Sequence, residues 1–87
     1  MKEQEADMAE QQFLSRVVAD PEVCGGQPCV RGTRINIAII LDGLAEGLTP
    51  EEIIDHHPQL SREDIRAALA YAAELARDNL RKVPATQ

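Results

Sequence analysis

The helical part of the fold is decided by the stretch NIAIILDGLAEGLTPEEIIDHHPQLSREDIRAALAYAAELA, residues 36–76. Its middle segment carries the strongest signal, because Thr49-Pro50-Glu51-Glu52 is a capping box with proline at the first helical position. Asn36 is a suitable N-cap for a preceding helix, and Ser61 is one for a following helix. Apolar residues recur at intervals of three and four in these segments. The pattern predicts helices at residues 37–46, 50–57 and 62–80.

The segment before these helices predicts a short β-ribbon. Residues 13–20 (FLSRVVAD) and 29–35 (CVRGTRI) suit extended structure. Two prolines and Gly25-Gly26 exclude a regular helix between them. The predicted fold class is therefore mainly α, a three-helix helix-turn-helix (homeodomain-like) core with a short N-terminal β-ribbon. The predicted organisation is a flexible acidic arm, a single domain and a tail, at residues 1–12, 13–82 and 83–87.

Composition is consistent with one small domain. The chain has 87 residues, of which 44% are hydrophobic and only 2% aromatic. Its core must therefore be built from isoleucine, leucine, valine and alanine. Because such a core is thin in a chain of this size, a homodimer or higher homo-oligomer is expected.

The charge is negative and unevenly distributed. The formal net charge is −6, and residues 37–64 alone hold one base and seven acids. This excess of acidic residues argues against strong non-specific binding of nucleic acid, which needs many cationic side chains to neutralise phosphates. Any DNA contact must use arginines of the N-terminal segment or of the last helix.

The expected location is the cytoplasm. No apolar run approaches the roughly 18 residues of a membrane span, and the N-terminus MKEQEADMAEQQ lacks the apolar stretch of a signal peptide. In that compartment Cys24 and Cys29 are expected to be reduced thiols.

The sequence offers no convincing catalytic or metal site. Cys24, Cys29, His56 and His57 do not have the usual spacing of zinc ligands, and adjacent histidines on a helix diverge by about 100°. No base is placed beside either cysteine to activate a thiol. The Gly25-Gly26 pair is not followed by the lysine and hydroxyl residue of a phosphate-binding loop. We expect no metal, no cofactor and no enzymatic activity, and a hydrolase or nuclease is the least favoured class.

Arg31-Gly32-Thr33-Arg34 is the most informative short segment. Gly32 permits a backbone conformation closed to other residues. Either arginine could contact a DNA phosphate or an acidic site on a partner protein. The favoured alternative is structural, with Arg31 or Arg34 paired to an acid of the middle segment and fastening the ribbon to the helices.

The third helix is apolar on every side between residues 67 and 73, which predicts a surface covered by another macromolecule. The alternative is that alanine, a strong helix former, is simply tolerated in an exposed position. We favour self-association, with the candidate oligomer interface Ala67, Ala70, Tyr71, Ala73 and Leu75.

The stretch DPEVCGGQPCVRGTRI, residues 20–35, resembles the signature of the bacterial family known as domain of unknown function 433. LAEG at 44–47, PQL at 58–60 and IRAALAYAA at 65–73 look like later parts of the same pattern. The resemblance covers roughly residues 13–76. Family members are similar to helix-turn-helix proteins and are often described as antitoxins, which implies a partner toxin that is a nuclease of PIN-type fold.

The resulting functional prediction is an antitoxin or small DNA-binding regulator of a toxin–antitoxin pair, acting as a homodimer. It would neutralise a PIN-like nuclease toxin and bind operator DNA with its third helix. The candidate DNA contacts are Arg16, Arg31, Arg34, Ser61, Arg62 and Arg66. The alternative is a protein–protein interaction module without DNA binding, whose acidic face attracts a basic partner.

Overall fold

Three helices pack together in the computed structural model, which describes residues 12–78. They are α1 (Ile37–Ala45), α2 (Pro50–His56) and α3 (Arg62–Asp78). The starts agree with the predicted ones, and α1 and α2 each end one residue earlier than predicted. The predicted end of the third helix at residue 80, the tail and residues 1–11 of the predicted arm lie outside the described residues.

The predicted caps define where the helices begin. The Asn36 side chain accepts a hydrogen bond from the Ala38 N–H at 2.8 Å, at the start of α1. Before α2, the Thr49 hydroxyl accepts from the Glu52 N–H at 3.1 Å, and the Glu52 carboxylate accepts from the Thr49 N–H at 2.8 Å. The capping box of α2 is therefore complete.

The N-terminal ribbon is present but shorter than predicted. Strands β1 (Val17–Val18) and β2 (Cys29–Val30) pair antiparallel, with Val17 opposite Val30. Residues 12–14 are helical, not extended, and the Arg16 N–H closes a turn onto the Phe13 carbonyl at 3.0 Å. The prediction of a strand throughout 13–20 was therefore wrong outside the two valines, since only they have partners in the ladder.

The cysteines also differ from expectation. The structure joins Cys24 and Cys29 in a disulfide, so the prediction of two separate thiols was wrong. Backbone geometry explains their proximity, because Cys24 and Gly25 have positive φ values of 54° and 62°. This tight turn returns the chain towards the start of β2.

The core lies where the three helices and β2 meet. Each helix contacts both others, and α3 also contacts β1. The core is entirely aliphatic, as composition requires; its buried members are Val30, Ile35, Ile37, Ile40, Ile53, Leu60, Ile65 and Ala68. Half-buried Val17 and Tyr71 pack against it, which places the ribbon and α3 on one common core.

Candidate interaction surfaces

The start of α3 is held by a buried carboxylate. Asp64 is only 7% exposed. One of its oxygens accepts from the Ser61 N–H at 2.9 Å, while the Asp64 N–H donates to the Ser61 hydroxyl at 3.3 Å. The other oxygen accepts from the Arg16 guanidinium at 3.1 Å. Asp64 thus caps α3 and also connects it to the segment before β1.

Two other predicted DNA contacts also have partners inside the fold. Arg62 forms an ion pair with Glu51, linking α3 to α2. The Arg66 guanidinium lies over the Phe13 ring, 5.4 Å from its centre, in a cation–π contact. Three residues at this end of α3 were predicted to contact DNA. Ser61 is instead a capping group, and both arginines have intramolecular contacts.

The turn after β2 forms a different kind of surface. Gly32 has a φ of +82°, and the Thr33 N–H donates to the Val30 carbonyl at 3.0 Å. This turn places Arg31 and Arg34 on the wall of an open pocket of about 570 Å³. Val18, Asp20, Val23, Gly32, Thr33 and Gln59 complete the lining.

The structure does not contain the predicted ion pair between Arg31 or Arg34 and an acid of the middle segment. The Arg31 Nε donates to the Ser15 carbonyl at 2.9 Å, and this contact fastens the turn to the residues before β1. The Arg34 guanidinium makes no ion pair with any residue in 12–78. The ion pair that joins the N-terminal segment to the acidic part of the chain comes instead from Arg16, which sequence reasoning had not assigned to this role.

The outer face of α3 is narrower than the predicted oligomer interface. Ala67 is completely buried inside the chain and does not reach the surface. Ala70 and Tyr71 are half-buried, whereas Ala73 is exposed and Leu75 is 42% exposed. Leu69, 49% exposed, lies on the same helix; the sequence pattern had placed it in one stripe with the buried Ile65 and Ala68, and outside the predicted interface. Its exposure follows from the helical period, because the buried neighbours Ala67 and Ala68 set the inner face.

The two histidines lie beside acids at the junction of α1 and α2. His56 and His57 line a hollow of about 280 Å³ together with Asp42 and Glu46. Within residues 12–78, no group of three or more histidine, cysteine or acidic side chains is arranged to hold a metal ion. In the same range, no helix has the length and apolarity needed to cross a membrane.

Much of the acidic surface is unpaired. Asp42, Glu46, Asp55 and Glu63 are exposed and form no ion pair with any residue in the described range. Glu51 and Glu52, by contrast, are engaged by Arg62 and by the α2 cap. We name three free carboxylates the acidic face: Asp42 on α1, Glu46 directly after α1, which lines the same hollow as Asp42, and Asp55 on α2.

These features define a class of small helical domain in which a two-stranded ribbon packs on a three-helix core. The chain belongs to the family described as Protein of unknown function (DUF433), whose sequence model matches residues 17–72. This confirms the family resemblance drawn from residues 20–35.

Two relatives bear on the extent of the similarity. The chain is 38% identical over 56 residues to "Uncharacterized protein y4eO" of Sinorhizobium fredii (strain NBRC 101917 / NGR234), which covers 64% of this chain and 25% of that protein. The chain thus spans about a quarter of that relative's length. The crystal structure of a DUF433 member from Anabaena variabilis ATCC 29413 is 28% identical, with a TM-score of 0.67, over 91% of this chain and 78% of that one.

Proposed function

We propose that this domain is the antitoxin of a toxin–antitoxin pair and that it acts by binding a basic nuclease protein, without catalytic activity of its own. The observation that carries the proposal is the distribution of charge. On residues 12–78 Arg16, Arg31, Arg62 and Arg66 each have a side-chain contact within the fold and Arg34 alone does not, whereas the acidic face forms no ion pair. Free carboxylates attract a cationic protein and repel the phosphate backbone of nucleic acid.

The family supports a binding role only through the resemblance described above, in which members are similar to antitoxins of PIN-type nucleases. A nuclease must itself attract nucleic acid, so its working surface is positively charged. An acidic module of this size is suited to cover such a surface. Complementary charge would accelerate the encounter and exclude competing substrate.

The direct experiment uses the full chain and the product of the adjacent open reading frame, provided that product resembles a PIN-type nuclease. We expect a stable complex and inhibition of its RNA cleavage by the chain at equimolar concentration. Glu46→Lys and Asp55→Lys, made singly, should each slow association by about tenfold at low salt, because both charges belong to the acidic face. The matched control is Glu63→Lys, since Glu63 is an exposed acid on α3, unpaired within residues 12–78, that belongs neither to the acidic face nor to the pocket lined by Arg31 and Arg34.

An absence of complex with an active neighbouring nuclease would refute the proposal. Equal slowing by the control variant would show that net charge matters and the acidic face does not. Both outcomes can be read from the same surface-plasmon measurement of the association rate.

The second candidate is operator binding by a homodimer with a helix-turn-helix core. It is favoured by mutual contacts among α1, α2 and α3 and by the exposure of Arg62 and Arg66 at the start of α3. In this arrangement α3 would enter the major groove and Arg31 and Arg34 would contact phosphates. Mobility-shift assays on the chain's own promoter discriminate the two functions, because DNA affinity should fall steeply between about 50 and 200 mM salt.

We propose that such a homodimer uses the exposed part of α3, where Leu69 and Ala73 lie one helical turn apart and provide an apolar surface. Glu74 and Arg77 pair with each other on the same helix at 2.7 Å. Sedimentation of the full chain measures the oligomeric state. A lysine at Leu69 should dissociate a dimer formed through this face, because a charge would replace a buried apolar side chain.

A further inference from the structure

The pocket beside β2 is shaped by a rigid turn. The Thr33 hydroxyl donates to the Val30 carbonyl at 2.8 Å and accepts from the Ile35 N–H at 3.0 Å. Gly32 supplies the left-handed conformation that the turn needs. The turn thus fixes the backbone positions from which the Arg31 and Arg34 side chains extend.

Several hydrogen-bond donors at this pocket have no acceptor in the described part of the chain. The backbone N–H groups of Gly32 and Arg34 donate to nothing among residues 12–78, and neither does the Arg34 guanidinium. Arg31 uses its Nε on Ser15, which leaves its two terminal nitrogens for a second partner. Guanidinium groups with a free planar edge bind oxyanions, above all carboxylates and phosphates, through two parallel hydrogen bonds.

The remaining lining favours a single carboxylate. Asp20 contributes one negative charge at the rim, where its carboxylate already accepts from the Glu22 N–H at 2.9 Å. Two guanidinium groups and one carboxylate leave a net charge of about +1 on the pocket, which matches an oxyanion with a single negative charge, such as one carboxylate. Val18 and Val23 provide apolar contacts for the methylene groups of an acidic side chain.

We propose that this pocket receives an aspartate or glutamate side chain of a protein partner, held by Arg34, Arg31 and the free N–H groups of the turn. The proposal deepens the function proposed above and rests on it for the identity of the macromolecule. Duplex DNA is disfavoured, because it presents a row of phosphates to a chain whose net charge is −6. The pocket and the acidic face would then make two contacts of opposite sign with one partner, which fixes the orientation of binding.

The test is an NMR titration of the full-length chain that follows the Gly32 and Arg34 backbone amides. The probes are a capped tripeptide with a central aspartate, the same tripeptide with asparagine, and a short DNA duplex. We expect the aspartate peptide to shift both amides in a saturable manner and the asparagine peptide to leave them unmoved. Arg34→Gln should weaken binding of the aspartate peptide by about tenfold.

Two further variants keep the result interpretable. Arg34→Lys retains the charge without the planar fork and should give intermediate affinity. Arg62→Gln removes another exposed arginine, which pairs with Glu51 outside the pocket, and should bind the peptide as the unmodified chain does. An unchanged spectrum of the other amides shows that each variant is folded.

Equal shifts with both peptides, or an Arg34→Gln variant that binds normally, would overturn the proposal. The proposal would also be overturned if the DNA duplex shifted the two amides, in a manner that depends on Arg34, and the aspartate peptide did not. The pocket would then be a phosphate site. The pocket and the proposed function can fail separately. A nuclease complex unaffected by Arg34→Gln refutes the pocket alone, whereas specific peptide binding without any nuclease complex refutes the function.

Discussion

Replacing Asp64 with alanine should destabilise the domain more than any other change to a charged residue in the described range. The substitution removes the acceptor of the Ser61 N–H and the partner of Arg16. Loss of a helix cap costs about 1 kcal/mol. Because the Arg16 side chain is 44% exposed, its ion pair contributes less, about 0.5 kcal/mol after solvent screening.

The Ser61 N–H is only partly buried and can turn to water, so its lost acceptor is already included in the cost of the cap, and the better helix propensity of alanine returns about 0.5 kcal/mol. The expected fall in the free energy of unfolding is therefore about 1 kcal/mol. Arg16 keeps access to water after the change, so no buried charge is stranded and the cost does not reach that of a broken buried pair. In a domain of this size the melting temperature should fall by about 5 °C.

Urea denaturation followed by circular dichroism gives the free energy, and calorimetry gives the melting temperature. Asp64→Asn should cost roughly half as much, since an amide oxygen can still accept from Ser61. Glu63→Ala is the matched control, because Glu63 is the exposed acid next to Asp64 in the first turn of α3. It should lower stability by no more than about 0.5 kcal/mol. Equal effects of the two alanine variants would refute the assignment of Asp64 as the group that joins α3 to the N-terminal segment.

Other substitutions test separate parts of the fold. Ile40→Ala should lower the free energy of unfolding by about 2–5 kcal/mol in urea melts, because Ile40 is completely buried in the shared core. Thr49→Ala should cost about 1 kcal/mol through loss of the α2 capping box, and serine at that position should restore most of it. Gly32→Ala should cost about 1–2 kcal/mol although its new Cβ has no neighbour within 4 Å, because the penalty lies in the positive φ; Gly32→Asn should cost less. Chain purified without reductant should have no titratable thiols, and reduction of the Cys24–Cys29 disulfide should lower stability by about 2 kcal/mol.

The helices could be predicted from sequence because their determinants are local. Asn36 and Thr49 each bond to a backbone group within three residues, so the pattern that predicts a cap also contains its partner. Pro50 at the start of α2 and Gly47, which follows α1 with a φ of 101°, likewise act through their own backbone. The aliphatic core followed from the shortage of aromatic residues and from the helical spacing of the isoleucines.

The contacts that distinguish the candidate surfaces join residues far apart in the sequence, so local sequence patterns could not predict them. Arg16 and Asp64 are 48 positions apart, and no periodicity relates them. Arg66 meets Phe13 only because the ribbon packs on α3. The cysteines were assigned from the expected compartment, whereas their pairing depends on the positive-φ turn at Cys24 and Gly25.

The arrangement of arginines has a consequence for how such a domain can recognise another molecule. An arginine already paired within the fold must lose that partner before it can bind elsewhere, so the energy of the new contact is reduced by that of the old one. Arg16 and Arg62 are in this position, and their replacement would change stability together with any binding. Arg34 has no such competing contact in residues 12–78. Its full hydrogen-bonding capacity is therefore available to a partner, and a substitution there can separate recognition from folding.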